Sequence, residues 1–464
     1  MIQNKDIDMK FMRMGVMMAN RNYKAATTGR STRSRFSLIG MIAMIAVMAS
    51  GCDITNPGPI QDEFLNDPTT HSGLVKGAER SLLIGSARIF FASATVTREI
   101  FPGGDVNSHS PALQYGSLNS DEMDSYWNPV QKGRFIAEDA IKRFANPDVT
   151  VDPTLEAQAH IWAGYANKLL GENFCQVVFD GGPAESPSNA LTRAEQNFTT
   201  ALGAAQSTDQ KSAAYAGRAQ VRVELGDWAG ALSDAANVPI DFEIGIKGDP
   251  AYTQTRNFIA FANLNENYRQ YTYHFTYFYD ALGHGFGTGY YTNTGDPRVR
   301  WALDPNTPVA NASLPGFGNV PWSFDPDFPL DAPMVLATGT EMRLYEAEHM
   351  LISNPASYAD AMAKLNTVRA HFTSDNDDLP LGALSAASAE EAGTHLKNER
   401  LIDLHLEGRR LLDIRRWAGR DNTPGTHFWP DWGQLTSVFD AEAMSTCFPI
   451  PDSEREINEN LSIG

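Results

Sequence analysis

Asn398-Glu399-Arg400-Leu401-Ile402-Asp403-Leu404-His405-Leu406-Glu407-Gly408-Arg409-Arg410-Leu411-Leu412-Asp413-Ile414-Arg415-Arg416-Trp417 decides the fold. Its charges fall at helical spacing: Arg400 with Asp403, Glu407 with Arg410, Arg409 with Asp413, and Asp413 with Arg416. Leu401, Leu404, Leu411, Leu412, Ile414 and Trp417 interleave with them, so the predicted helix is buried as well as charged. On an open surface each pair would contribute only about 0.2–1 kcal/mol. Inside a core the guanidinium groups require carboxylates and backbone carbonyls around them. Glu399, Arg400, Glu407, Gly408, Arg409, Asp413, Arg416 and Trp417 therefore read as a structural lock rather than a catalytic cluster.

N-terminal to this lock the pattern is one of helical hairpins. Leu344 to Phe372 forms one unit, with Tyr358-x2-Ala361-Met362 echoing Trp228-x2-Ala231-Leu232. Ala194-x3-Phe198-x2-Ala201-Leu202 resembles the second helix of a tetratricopeptide repeat, and Ala219-x6-Gly226-x4-Ala231 has that repeat's helix–turn–helix spacing. Small residues there let two helices cross closely, and Gly226 suits a left-handed helix cap. Any amphipathic hairpin can show one such match; three in one chain point to hairpins as the scaffold. Phe135–Phe144 and Leu155–Leu170 read as another antiparallel pair, with Asp152 and Pro153 as a helix start. From about Gly73, the residues Leu74, Gly77, Ala78, Ser81, Leu82 and Gly85 give a small-residue helical face.

Residues 241–334 read differently. They are rich in Gly, Pro, Asn and aromatics, with turn signals at Gly248-Asp249-Pro250 and Gly295-Asp296-Pro297. Tyr271, Tyr273, Tyr277, Tyr279, Tyr290, Tyr291 and Trp322 make this segment the candidate ligand-binding surface, because loops on a rigid scaffold concentrate binding residues. The competing reading of each aromatic is core packing. Phe428-Trp429-Pro430-Asp431-Trp432 is a second aromatic group, equally suited to packing the loop after the lock. Gly283-x-Gly285-x-Gly287-x-Gly289 lacks the strand and helix of a dinucleotide site and reads as a turn.

At the other end, Arg30, Arg33 and Arg35 precede an apolar run, Leu38–Met48, and then Ala49-Ser50-Gly51-Cys52. The run is shorter than the about 20 residues of a membrane span. It has the form of an export signal, and the small-small-Cys ending that of a lipobox, with Cys52 acylated as the first mature residue. An ordinary signal peptide or a single anchor helix is the alternative. Met14, Met17 and Met18 are alternative starts. Residues 1–51 hold eight of the 37 Lys and Arg and two of the 56 Asp and Glu, which leaves 29 against 54, a net charge of −25. Such an acidic chain is unsuited to nucleic acid. Cys175 and Cys447 then form an even pair, open to a disulfide in an oxidising compartment or to two buried thiols. None of the three cysteines has metal-ligand spacing, and nothing points to a cofactor. No His-Glu-x-x-His and no Gly-x-Ser-x-Gly is present.

The motifs resemble those of the SusD/RagB family of outer-membrane nutrient-binding lipoproteins. Glu399-Arg400, Glu407-Gly408-Arg409-Arg410, Asp413 and Arg415-Arg416-Trp417 match its C-terminal run, with Ile414 for Leu. Phe448-Pro449-Ile450-Pro451 through Asn458-Glu459-Asn460-Leu461 matches its closing motif. Tyr345-Glu346-Ala347-Glu348 and Leu365-Asn366 to Arg369 are similar to two of its helices. The resemblance implies a mainly α fold of tetratricopeptide-like hairpins with an irregular binding part. Residues 1–51 are then the signal, 52–72 the anchor and tether, and 73–464 one domain, with 73–240 and 335–464 as scaffold. It further implies capture of an oligosaccharide, or of a peptide, for a SusC-like TonB-dependent transporter at the outer membrane, without catalysis. Each aromatic platform under a sugar would contribute about 1–3 kcal/mol by analogy with base stacking. A surface hydrolase and a protein-binding scaffold are the competing classes; turnover or binding on polysaccharide and peptide panels separates them.

Overall fold

The structure, a computed structural model, describes residues 62–102, 113, 116–264, 271–273, 276–278, 289–308, 321–426 and 445–461. Cys52 and the export segment, Tyr279, the Gly283-to-Gly287 run and Phe428–Trp432 lie outside them. Helices dominate, and their starts are written in the sequence. α1 (Pro68–Val96), α3 (Pro153–Asn173) and α4 (Pro187–Ala204) each begin with Pro after Asp67, Asp152 or Ser186. That capping side chain accepts from the N–H two residues on. α2 (Asp124–Phe144) packs antiparallel between α1 and α3. The small face of α1 does what its spacing predicts: a Cβ on Gly85 would sit 2.4 Å from Val130 of α2.

α5 (Thr208–Leu225) ends on Gly226, left-handed at φ 83°, and α6 (Trp228–Ala235) turns back from it. Phe198 of α4 is enclosed between two glycines, since a Cβ on Gly164 or on Gly217 would approach its ring to 2.6 or 2.3 Å. The crossing is close, as the repeat-like spacing around Phe198 implies, but the glycines that allow it lie outside that spacing. Two short strands, β1 (Phe101–Pro102) and β2 (Glu243–Ile246), precede the short helix α7 (Phe258–Leu264). Then come β3 (Tyr271–Thr272), α8 (Tyr290–Thr294), β4 (Ala302–Pro308), β5 (Pro321–Phe324) and β6 (Met334–Thr338). β1 pairs with β3, β2 with β6, and β4 with β5, all antiparallel.

The β2–β6 pair closes residues 241–334 at their base. The segment is not an appendage on a finished scaffold, however. Phe258, Ile259, Tyr271, Tyr273, Trp322 and Phe324 belong to the same buried cluster as Phe91 of α1 and Phe174 of α3. The second hairpin unit is α9 (Gly339–Ser353) and α10 (Tyr358–Arg369), with α11 (Ala389–Asp403) packed on both.

The predicted single helix over 398–417 is two helices. α11 stops at Asp403 and α12 runs Arg410–Gly419. Between them Leu406 and Gly408 have φ of 65° and 70°, which no continuous helix accommodates. Gly408 is required twice over, because a Cβ there would also sit 2.4 Å from Phe90. A last short helix, α13 (Asp452–Ile457), follows the segment carrying Cys447. That cysteine is joined to Cys175 at the end of α3 by a disulfide, Cα to Cα 5.1 Å, across 272 residues of sequence.

Candidate functional site

The lock is assembled from parts far apart in the chain. Arg400 grips Asp413, Nε to Oδ2 at 2.8 Å and Nη2 to Oδ1 at 2.9 Å. Arg416 reaches the same Asp413 at 3.0 Å, Glu348 of α9 at 2.9 Å and Asp421 at 2.7 Å. Arg409 meets Glu172 of α3 at 3.0 Å and donates to the Leu336 carbonyl at 2.6 Å. Trp417 Nε1 donates to Glu348 at 2.6 Å. Of the four pairs expected from helical spacing, Asp413 with Arg416 forms. Arg400 takes Asp413 instead of Asp403, and Arg409 takes Glu172 instead of Asp413. Glu407 and Arg410 stand on opposite sides of the break, so they share no helical face.

Sequence reasoning missed one cation at the centre of this cluster. Arg298, in the turn after Gly295-Asp296-Pro297, pairs with Asp296 at 2.8 Å, Glu399 at 2.8 Å and Asp403 at 3.0 Å. It ties the 241–334 segment to the lock, and Arg369 completes the group on Glu399 at 2.9 Å. The available signal was Asp296 itself, a capping residue followed two places on by a cation. Burial pushes the Asp403 carboxyl up to about 6 against the pull of Arg298. Burial beside Asp403 and Glu341 holds Glu407 well above the usual carboxylate range. Raised carboxyls often mark active sites. Here the Asp403 side chain is 0% exposed and its Oδ1 accepts from Arg298 at 3.0 Å, which makes it structural.

The seven candidate aromatics divide. Tyr271, Tyr273, Tyr277 and Trp322 are at most 5% exposed and form core instead of open stacking faces. Tyr271 meets Phe91 edge-on at 4.8 Å. Tyr273 shares a 2.7 Å hydrogen bond with His405 Nε2 and packs on Phe324. Tyr277 packs with Phe278, Val299, Leu401 and Ile402. Trp322 Nε1 donates to the Asn263 carbonyl at 3.0 Å. β3 pairs with β1, the Tyr273 N–H donates to the Ser323 carbonyl of β5 at 2.7 Å, and each polar tip at Tyr273 and Trp322 finds a partner in the core.

Tyr290 and Tyr291 are half-buried. Tyr290 donates to Asp296 at 3.0 Å, inside the lock. Tyr291 lies at the surface and donates to Asp375 at 3.0 Å, while Arg300 forks onto the same carboxylate at 2.8 and 2.9 Å. Burial and the Asp375 hydrogen bond both raise the Tyr291 phenol. An aromatic face beside a held Arg–Asp fork joins a stacking surface to donors and acceptors for hydroxyls, so Tyr291, Arg300 and Asp375 form the candidate site.

Residues 340–462, from the second hairpin through the lock to the closing motif, match the SusD family. Those residues carry the resemblance to the SusD/RagB family. Solved SusD-like structures share its fold across the described helices. One is a SusD/RagB family protein from Bacteroides thetaiotaomicron, 12% identical, TM-score 0.60, covering 83% of this chain and 94% of that one. Another is the surface glycan-binding protein A from Bacteroides uniformis, 14% identical, TM-score 0.59, covering 85% and 98%. A third, a laminarin-binding SusD-like protein, is 16% identical with TM-score 0.51, covering 85% and 98%. At such identities the likeness is one of fold. No curated protein matches the sequence. Among the described residues no helix of this chain is long and apolar enough to cross a membrane.

Proposed function

We propose that the protein is a cell-surface lipoprotein, anchored through Cys52, that captures an oligosaccharide and passes it to a SusC-like TonB-dependent transporter in the outer membrane. The observation that carries this reading is the family match over 340–462, which falls on the ion-locked C-terminal part of the fold. The two relatives named for laminarin and for surface glycan favour a glycan over a peptide. Tyr291 with the Arg300–Asp375 fork supplies sugar-binding chemistry at the surface.

Mature protein is to be incubated with polysaccharide and peptide panels. Binding of a glycan without turnover is expected, and turnover of any member replaces the receptor by a hydrolase. Once a ligand is found, Tyr291→Ala with Arg300→Ala should weaken it by about 2 kcal/mol or more, roughly 30-fold. Cys52→Ser should leave the membrane fraction or accumulate as precursor in cell fractionation. Normal processing and retention of that variant would refute the anchor.

A further inference from the structure

A cleft of about 360 Å³ lies between the middle of α1, the start of α2 and the loop leading into α7. That volume is within the roughly 300–1,000 Å³ range of small-ligand sites. Its charge is the reverse of the protein's. Arg88, Lys132 and Arg256 line it, and no Asp or Glu does among the described residues. In a mature chain with 54 acids against 29 bases, a wall of three cations without a carboxylate is unusual.

The two arginines are built into place. Arg88 Cζ lies 3.7 Å from the centroid of Phe258, which is itself fixed against Phe91 at 4.8 Å. Arg256 Cζ lies 3.4 Å from the centroid of Phe261. Ring contact orients a guanidinium and leaves its N–H donors for an anion, since a ring face is no carboxylate. Arg134, Arg298, Arg369, Arg400, Arg409 and Arg416 each meet at least one carboxylate. Among the described residues neither Arg88 nor Arg256 has one, and Arg256 Nε is buried without an acceptor. Desolvation lowers both guanidinium pKa values, as expected of cations that lack a counter-charge. The loop carrying Arg256 is ordered by its own bonds: Thr255 and Arg256 both donate backbone N–H to the Tyr252 carbonyl.

The remaining wall carries sugar-binding groups. Ser125, Asn128, Thr253 and Gln254 present hydroxyls and amides. Pro129, inside α2, has no N–H to give the Ser125 carbonyl four residues back, and both residues line the cleft. A bare inorganic anion has no use for a carbonyl acceptor; a sugar hydroxyl does. The planar guanidinium fork matches a carboxylate with two parallel bonds. We infer that this cleft binds a uronic-acid residue of the captured glycan, with the carboxylate on Arg88 and Arg256 and the ring hydroxyls on the Ser125–Asn128 and Thr253–Gln254 walls. The inference rests on the proposed role as a glycan receptor and narrows it to acidic polysaccharides.

The experiment titrates mature protein with pectate, alginate and a glucuronoxylan, with their methyl-esterified or neutral counterparts, and with a sulfated polysaccharide. At least one uronate polymer is expected to bind, tenfold or more tighter than its esterified form and weakening with salt. Arg88→Gln and Arg256→Gln should each weaken that binding at least tenfold at unchanged melting temperature. Lys132→Gln, an exposed change that cannot disturb the core, should weaken it and flatten its salt dependence. Equal affinity for acidic and esterified chains, or variants that bind like the parent, would overturn the assignment while leaving the receptor role intact. Preference for the sulfated polymer over every uronate overturns the carboxylate. If no polysaccharide binds at all, the receptor role itself falls, and this inference with it.

Discussion

The Asp413 carboxylate receives two bonds from Arg400 and one from Arg416, and all three side chains are buried. Burial alone would raise its pKa, but the two guanidinium charges outweigh that and hold it below the ordinary 3.8. Glu348, beside Arg416 and Arg400, is likewise held below 4.5 against the effect of burial. A carboxylate whose folded pKa is depressed stabilises the fold above its unfolded pKa and loses that contribution as pH falls through the folded value. Asp413→Asn should therefore cost about 3–5 kcal/mol at neutral pH, the usual consequence of breaking a buried pair. The gap should narrow below pH 3.8, where the parent protonates and the variant has nothing to lose. Urea denaturation at neutral pH and again in acid measures both gaps; a constant difference would mean that Asp413 is not the titrating group. That these residues form a lock was legible, because apolar positions alternate with charges too densely for an exposed face. Their partners were not legible. Glu172, Glu348 and Arg298 lie on other elements, and no local spacing rule reaches them.

Phe198 shows how the hairpins are held at the scale of elements. Its ring on α4 fills the space left by Gly164 on α3 and Gly217 on α5, with Tyr165 edge-on at 5.0 Å. Alanine in place of a helical glycine ordinarily gains about 1 kcal/mol of propensity. At Gly217 the new methyl would collide with the ring, and overpacking costs about 1–3 kcal/mol. Gly217→Ala is thus expected to lower stability in spite of its better propensity. Phe198→Leu makes room for it, so the double variant should be less destabilised than the sum of the singles in a thermal-denaturation cycle. Strict additivity would show that the ring does not wedge the two helices. The repeat-like spacing picked out Phe198 and a close helix crossing, but not Gly164 and Gly217, which lie on other helices and outside that spacing. The break between α11 and α12 was hidden as well. A charge pattern with period 3.6 continues through this stretch, and neither the left-handed Leu406 nor the close approach of Phe90 to Gly408 shows in it.

At the scale of the whole molecule, residues far apart in sequence complete one core. The aromatic segment was legible as a place rich in rings. Which rings face inward depends on β3 pairing with β1 and β5 with β4, and a strand as short as the two residues of β3 leaves no periodic trace. The C-terminal segment closes the structure against the end of α3. Cys175 N–H donates to the Phe448 carbonyl at 2.9 Å, Phe448 N–H donates to Asn173 at 2.8 Å, and the rings of Phe174 and Phe448 lie 5.5 Å apart. The Cys175–Cys447 bridge is set directly beside these contacts. A link across 272 residues removes much of the freedom of the unfolded chain, and disulfides of this kind typically contribute about 2–4 kcal/mol. Replacing both cysteines by Ser avoids a stray thiol and should lower stability by that amount. The helical circular dichroism should stay unchanged, because the Phe448 hydrogen bonds and ring contacts remain to seat the segment. Reducing the parent protein should give the same loss, and the Ser variant should be indifferent to reductant. A variant as stable as the parent would show that these contacts alone close the fold and that the bridge is redundant to them.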